Sequence, residues 1–475
     1  MSGSIPIGRV ANLIGEISSP AFSGLAGRLA SVIADGLLPL DQRLPSERDL
    51  AAALGLSRTT VTRAYAMLRE AGYAAARQGS GTWTRVPGGR ARGHDRALLP
   101  QPDLPSTMDL SCAAPAAAPG LASAYAAATA ALPAYLTGHG YFPLGLPELR
   151  EAIADRYRRR GLPTASDQIL VTSGAIAAIA AAAQALLGPG DRVLAESPVY
   201  PNAITSLRRA GARVVAVPVD PDAWDFDAME ATLRQAAPRA AYLIPDYQNP
   251  TGLLMDDAQR DRLGAALTGA RTVAIVDESH ADLHLEQLPI PAPMAAHAAS
   301  AITVGGSSKA FWGGLRVGWL RVPDGQQPRF TQARLGLDLG APLLEQLVLT
   351  ELLTGPDADA PQQRERLRRQ RDVLAGALRD RLPDWRFRIP AGGLSLWCRL
   401  PRPVAAALSI ECERRGLVIT PGSVFAPDGG LASFVRLPYT RSEADLLAAV
   451  DVLHTAWTAL DHRQDVADPV RILIA

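Results

Sequence analysis

Beyond about Met108 the chain alternates short apolar runs with stretches of helical length, and this alternation restricts the fold more than any other feature. Ile169–Thr172 ends at Ser173-Gly174 and leads into an alanine-rich helix reaching about Leu187. Val193–Ala195, Val214–Val217, Ala241–Ile244, Val273–Val276 and Ile302–Val304 are further buried-strand candidates. Strands separated by helices imply an α/β fold with a mostly parallel sheet covered by helices. Ligands of such sheets sit at the carboxyl ends of the strands, so the residues just after each run are the ones to inspect.

After the last run comes Val304-Gly-Gly-Ser-Ser-Lys309-Ala-Phe-Trp-Gly-Gly-Leu-Arg316. Lys309 is the only lysine among 475 residues; every other member of the Lys+Arg count is arginine. Arginine keeps its proton at working pH, whereas a desolvated lysine amine can release it, and only the free amine forms a Schiff base. The glycine-rich turn and Arg316 beside that amine look like a phosphate site. Lys309 is thus the catalytic candidate of the chain.

Length suggests two or three domains at roughly 100–200 residues each. With 48% hydrophobic and 20% charged residues, the chain is ordinary globular material with ample length for a large core. No run of about 18 apolar residues suggests a membrane span, and no charged segment followed by an apolar one suggests a secretory signal. Cys112, Cys398 and Cys412 are few and scattered, which favours buried free thiols over a disulfide or a metal site. A cytoplasmic location is expected by elimination. Charge is uneven: residues 1–96 hold 12 arginines against 7 acids, and the remainder is slightly acidic.

The N-terminal region explains that bias. Leu25, Leu29, Val32 and Ile33 share one helical face ending near Gly36. Ser46 is placed to cap a short helix from Glu47 to Leu54, which Gly55 stops, and Ser57 to cap a third helix running to about Ala71. Helix, glycine turn, helix is the helix-turn-helix arrangement, whose second helix enters the DNA major groove by its N-terminal end. Ser57, Arg58, Thr59, Thr60 and Arg63 crowd that end, with Arg43, Ser46 and Arg48 on the preceding turn. Tyr73 to Val86 reads as two strands around Gln78-Gly79-Ser80-Gly81, a small wing. Leu44-Pro-Ser-Glu-Arg-Asp-Leu50, Leu56-Ser-Arg-Thr-Thr-Val61 and Arg77-Gln-Gly-Ser-Gly-Thr82 closely resemble the winged-helix operator-binding domain of GntR regulators, over about residues 20–87. The Gly-, Arg- and Pro-rich residues 88–108 read as a flexible linker.

Tyr141-Phe-Pro-Leu-Gly145, Ser173-Gly-Ala175, Ser197-Pro-Val-Tyr200-Pro-Asn202, Asn249-Pro-Thr-Gly252, Asp277, Ser308-Lys309 and Gly314-Leu-Arg316 together resemble the fold-type I aminotransferases, with a smaller C-terminal α+β subdomain implied within residues 109–475. Joined to the N-terminal domain, the chain looks like a MocR-type GntR regulator. The resemblance implies pyridoxal 5'-phosphate held by Lys309, with Asp277 beside the pyridine nitrogen. It places the phosphate at Ser173, Gly174, Ala175, Ser308 and Arg316, and Asn249 at the ring hydroxyl. It also stacks Tyr200 on the ring, sends Tyr141 to the neighbouring subunit of a homodimer, and gives Arg436 an effector carboxylate.

Two positions depart from the family pattern. Gly306 stands where a serine usually gives a hydroxyl to the phosphate, and neighbouring Ser307 is the alternative source. His280 stands where a tyrosine usually donates to the ring hydroxyl; a histidine is expected to be able to donate there too, but to titrate near neutrality. His284 and His297 are expected to be solvated or core residues, with no metal cluster. The leading expectation is a DNA-binding regulator that holds the cofactor and senses it, or a small amine or amino acid. The alternative is a working aminotransferase with an attached DNA-binding domain, and a third is a regulator that has lost its cofactor.

Overall fold

The computed structural model describes residues 5–15, 17, 19–34, 38, 42–77, 81–85, 108–355, 358 and 361–467. Contacts divide the chain into two compact units. Met1–Asp109, Arg399–Val435 and Ala449–Ala475 form one, and Leu110–Cys398 with Arg436–Ala448 form the other.

In the first unit, four helices build one small core. Helix α1 (Ile7–Ile14) has no counterpart among the expected helices and buries Val10 and Ile14. Helix α2 (Ala21–Ala34) buries the expected face of Leu25, Leu29, Val32 and Ile33. Helix α3 (Glu47–Leu54) begins where Ser46 Oγ accepts the Asp49 backbone N–H at 3.2 Å, and its stop is Gly55 in the left-handed region at φ 65°. Helix α4 (Arg58–Glu70) begins at Ser57, whose Oγ accepts the Thr60 N–H at 3.1 Å. Strands β1 (Ala74–Arg77) and β2 (Gly81–Thr84) pair antiparallel as the wing. The expected wing tip at Gln78–Ser80 with Gly79, the helix end near Gly36 and the linker up to residue 107 lie outside the described residues. Strand β3 (Met108–Asp109) pairs parallel with Leu417–Val418 in the same unit.

The second unit is the expected helix-covered sheet. Helices α5 (Leu121–Ala131) and α6 (Pro147–Arg159) precede β4 (Ile169–Thr172) and α7 (Ala175–Leu186). Then follow β5 (Arg192–Ser197), α8 (Pro201–Arg209), β6 (Arg213–Pro218), α9 (Phe226–Ala236), β7 (Ala240–Leu243), α10 (Asp257–Gly269), β8 (Val273–Asp277), β9 (Ile302–Gly306) and β10 (Gly318–Arg321). The strand order is β4-β10-β9-β8-β7-β5-β6. Neighbours run parallel except β10, which lies antiparallel between β4 and β9.

Alternating side chains along each strand feed two cores. Val171, Leu194, Ala241 and Val276 pack with residues of α5, α6, α9 and α10 on one face. Leu170, Val193, Ala195, Tyr242 and Val304 pack with α7 and α8 on the other. The alanine run of α7 has a packing reason: Ala178, Ala181, Ala182 and Ala183 are fully buried, and such small side chains let the helix lie close against the sheet. Helix Pro361–Arg381 also belongs to the second unit, and helix Ala405–Glu413 to the first. Among the described residues no helix is long and apolar enough to cross a membrane.

Candidate functional site

Because β4, β5, β7, β8 and β9 share one direction, the residues following each reach the same edge of the sheet. Antiparallel β10 starts at that edge, which brings in Arg316 just before it. A cavity of about 670 Å3, its open mouth included, lies there within the second unit. Its walls include Ala175, Ile176, Tyr200, Asn249, Asp277, Ser279, His280, Gly306, Ser308, Lys309 and Arg316. Most of the expected residues are thus brought together.

At the floor, Asp277 is 5% exposed at the end of β8. Its Oδ2 accepts the Tyr242 hydroxyl at 2.7 Å and its Oδ1 the Ser279 N–H at 2.9 Å. Burial raises the Tyr242 pKa well above its ordinary value, and the Asp277 charge adds to this, so the phenol stays a donor. Ser279 places a buried hydroxyl on the cavity wall with no hydrogen-bond partner among the described residues.

Lys309 Nζ donates to the Ala113 carbonyl at 2.6 Å. Burial lowers its pKa below the ordinary value; the neighbouring Arg436 and Arg316 act the same way, against Cys112 and Asp277. Its burial thus disfavours the charged amine relative to an ordinary lysine.

The far end suits a phosphate, with corrections to the expected donors. The Gly174 N–H is not available, since it donates to the Thr172 carbonyl at 2.8 Å. The open donors are those of the first turn of α7, Ala175 and Ile176, both on the cavity wall. Ser173 lies behind the wall: its Oγ donates to Asp338 at 3.1 Å and its carbonyl accepts Arg316 Nη2 at 3.4 Å. Gly174 is needed at φ 98°, and a Cβ there would fall 2.8 Å from Arg316 Nη2. Arg316 itself takes the left-handed conformation at φ 50°, an uncommon state for a side-chain-bearing residue that aims its guanidinium into the site. Gly306 stands where the family serine is usual, and a Cβ there would lie 3.3 Å from the Ala175 Cβ, so the close approach of Ala175 suits a glycine. Ser307 does not replace it, because its Oγ donates to the Val317 carbonyl at 2.8 Å; Ser308 is the serine on the cavity wall.

His280 is 6% exposed, and its Nδ1 lies 3.0 Å from the Tyr247 carbonyl. Burial first, and then the Lys309 charge, push its pKa down to about 4, so it is neutral rather than titrating near pH 7. Arg436 is buried, with Nη1 donating to Asn249 Oδ1 at 3.3 Å and Nη2 to the Ser111 carbonyl. Tyr200 is half-buried on the wall, its hydroxyl accepting Asn202 Nδ2 at 3.1 Å. Tyr141 is 57% exposed and does not line the cavity of its own chain. His297 is half-buried beside Asp261, His284 is half-buried, and no metal-holding cluster occurs among the described residues.

Several residues that shape the site carry no chemical signal in the sequence. Tyr242 is one aromatic within an apolar strand. Gly318 is another: a Cβ there would meet the Gly174 carbonyl carbon at 2.4 Å and the Ala175 nitrogen at 2.5 Å. Glu196 is fully buried, and desolvation pushes its pKa up to about 7. It accepts Trp224 Nε1 at 3.1 Å and Gln248 Nε2 at 3.0 Å. Gln248 also donates to the Pro198 carbonyl and accepts from Thr251, so it fixes both the loop bearing Asn249 and the approach to Tyr200.

In the first unit, Ser46, Arg48, Ser57, Arg58, Thr59 and Arg63 are exposed around the start of α4, and Thr60 is half-buried there. The Ser57 hydroxyl lies 2.8 Å from those of Thr59 and Thr60. Arg63 stacks over the Phe22 ring at 3.8 Å, which orders its guanidinium. Arg43 is exposed beside Gly81, where a Cβ would fall 2.9 Å from its Nε.

Two family descriptions match the chain: aminotransferase class I and II over residues 117–453, and the gntR family of bacterial regulatory proteins over residues 23–83. The HTH-type transcriptional regulator TauR of Rhodobacter capsulatus is 30% identical over 88% of this chain and 93% of its own length. The "probable rhizopine catabolism regulatory protein MocR" of Rhizobium meliloti is 30% identical over 77% of this chain and 78% of its own length. Among solved structures, LysN, the α-aminoadipate aminotransferase of Thermus thermophilus complexed with N-(5'-phosphopyridoxyl)-L-leucine, superposes with a TM-score of 0.69. It has 28% identity and covers 75% of this chain and 93% of its own.

The electrostatics of Lys309 are testable with an aromatic aldehyde, since capture needs the unprotonated amine. The capture rate should rise with pH to a midpoint below the roughly 10.4 of an ordinary lysine. Replacing Arg436 by Met removes a cation that lowers this pKa, so the midpoint should move up. A midpoint at the ordinary value, or no movement on Arg436→Met, would contradict the assignment.

Proposed function

Because the chain belongs to the class I and II aminotransferase family, in the MocR-type arrangement that adds a gntR-family DNA-binding region, we propose a pyridoxal-phosphate-dependent transcriptional regulator that senses the cofactor or an amino compound. The observation that carries this is one cavity holding a desolvated amine, a buried acid and a helix N-terminus with an arginine.

That donor set fits the cofactor. Lys309 holds the aldehyde carbon, and the buried Asp277 carboxylate, oriented by Tyr242, faces the pyridine nitrogen. Ala175, Ile176, Ser308 and Arg316 take the phosphate. The bare backbone at Gly306 and the unpartnered Ser279 hydroxyl are features a ligand would fill. When bound, the cofactor supplies an electrophilic carbon that exchanges amines. This chain's own residues bind it, orient it and hold its protons. Arg436, buried behind Asn249 and hydrogen-bonded to it and to the Ser111 carbonyl, would clamp an effector carboxylate by exchanging these bonds for it. The sensed ligand in this reading is the cofactor itself or a small amine or amino acid.

A homodimer with shared sites is part of this proposal. It is supported by the exposed Tyr141 together with Leu136 and Leu339, 69% and 55% exposed. In the DNA-binding region, Arg58, Thr59 and Arg63 meet base edges and phosphates, with Arg43, Ser46, Arg48, Ser57 and Thr60 around them. A cytoplasmic location follows from binding operator DNA. A second reading, residual transamination, is favoured by the intact set of Lys309, Asp277 and Arg436. Conversion of bound pyridoxal to the pyridoxamine form by an amino donor in a single turnover separates it from pure sensing.

Two experiments test the halves of the proposal. Borohydride reduction of the cofactor-treated protein should fix a phosphopyridoxyl mass on the peptide containing Lys309, and Lys309→Ala should abolish it. An unmodified wild-type peptide would sink the cofactor half. For the DNA half, Arg58→Ala should weaken operator binding and reduce the salt slope of log K by about 1. Arg63→Ala should act less steeply, because the Phe22 stack already engages its guanidinium. Binding that survives Arg58→Ala with its salt dependence intact would refute the assigned interface.

A further inference from the structure

We infer that His280 accepts a hydrogen bond from the ring hydroxyl of the bound cofactor, so that this oxygen keeps its proton. The inference rests on the cofactor reading above and adds the direction of one hydrogen bond. In pyridoxal phosphate the ring hydroxyl flanks the aldehyde on the side away from the phosphate arm. With Lys309 at the aldehyde, Arg316 and Ala175 at the phosphate and Asp277 at the ring nitrogen, the polar side chains of the lining left for the hydroxyl include Asn249 and His280.

The polarity of both partners is set from behind. His280 Nδ1 faces the Tyr247 carbonyl at 3.0 Å, and a carbonyl can only accept, so Nδ1 carries the hydrogen. Burial of the ring opposes a second proton and lowers the pKa, and Arg436 acts the same way, against the Tyr247 carbonyl and Asp277. Nε2, on the opposite edge of the ring, therefore presents a lone pair. Asn249 is turned the other way round. Its Oδ1 accepts from Arg436 Nη1 at 3.3 Å, which leaves its Nδ2 as the donor for the cavity.

One donor and one acceptor suit a neutral hydroxyl, which accepts from Asn249 and donates to His280. Two donors, which a tyrosine at position 280 would provide with Asn249, suit an anionic oxygen whose proton has moved to the imine nitrogen on Lys309. Keeping the proton on oxygen leaves that imine neutral and a weaker electrophile toward an incoming amine. Such a site holds its cofactor more readily than it exchanges it.

The test uses the full chain loaded with pyridoxal phosphate, after borohydride trapping on a separate aliquot has confirmed the Lys309 adduct. Wild type should absorb mainly in the shorter-wavelength band of the neutral ring hydroxyl. His280→Tyr should shift most of that absorbance to the longer-wavelength band of the protonated imine. Nitrogen-15 spectra of the loaded wild type should show His280 protonated at Nδ1 and bare at Nε2, a readout that does not depend on any variant folding. A wild-type spectrum dominated by the longer-wavelength band and unmoved by His280→Tyr, or a proton on Nε2, overturns the inference while the cofactor reading stands. Absence of the trapped adduct instead overturns the cofactor reading, and this inference with it.

Discussion

The site depends on how closely the first turn of α7 lies on the sheet. Gly318 offers no side chain beneath the Gly174–Ala175 peptide, and an added Cβ would sit well inside contact distance of both backbone atoms. At Gly306 an added Cβ would crowd the Ala175 Cβ at 3.3 Å, and the alanines of α7 keep the helix down along its length. The consequence is electrostatic. The free N–H groups of Ala175 and Ile176, with their share of the helix dipole, open onto the same cavity as Lys309. Donors suited to an anion and the Lys309 amine thereby share one frame, and Arg316 joins it from a left-handed backbone position.

Much of this was legible in the sequence. Buried parallel strands read as continuous apolar runs, so six of the seven strands of the main sheet were expected within a residue or two of where they lie. The caps of α3 and α4 were legible because Ser46 and Ser57 act locally. The antiparallel β10 was not, because Gly318–Arg321 reads as the tail of the glycine-rich turn. Helix α1 was not expected, although Ile7, Val10 and Ile14 stand at helical spacing. Tyr242, Glu196 and Gln248 were missed because their roles arise from contacts between distant segments, and nothing local marks them. Residue identity alone also could not say which N–H groups were already spent, and so Gly174 was expected as a donor it cannot be.

His280 shows the same limit in a chemical form. As a residue type it suggests titration near neutrality. Its setting, a buried ring with Nδ1 against a carbonyl, disfavours a second proton, and we infer an acceptor at Nε2. In the proposed reading the chain keeps the groups that would capture the cofactor while altering the one that would adjust its proton. Joined to a winged helix, that combination describes a receptor more naturally than a catalyst of turnover. A ligand can act on DNA binding only through a difference in affinity between two states, and the coupling must be reciprocal.

The most direct test of this account is the operator affinity of the full chain with and without pyridoxal phosphate, for wild type and for Lys309→Ala. Coupling of ordinary size predicts a change of roughly 5- to 150-fold in wild type. In Lys309→Ala the two affinities should coincide. Equal affinities with and without cofactor in a wild-type protein shown to carry it would contradict the account.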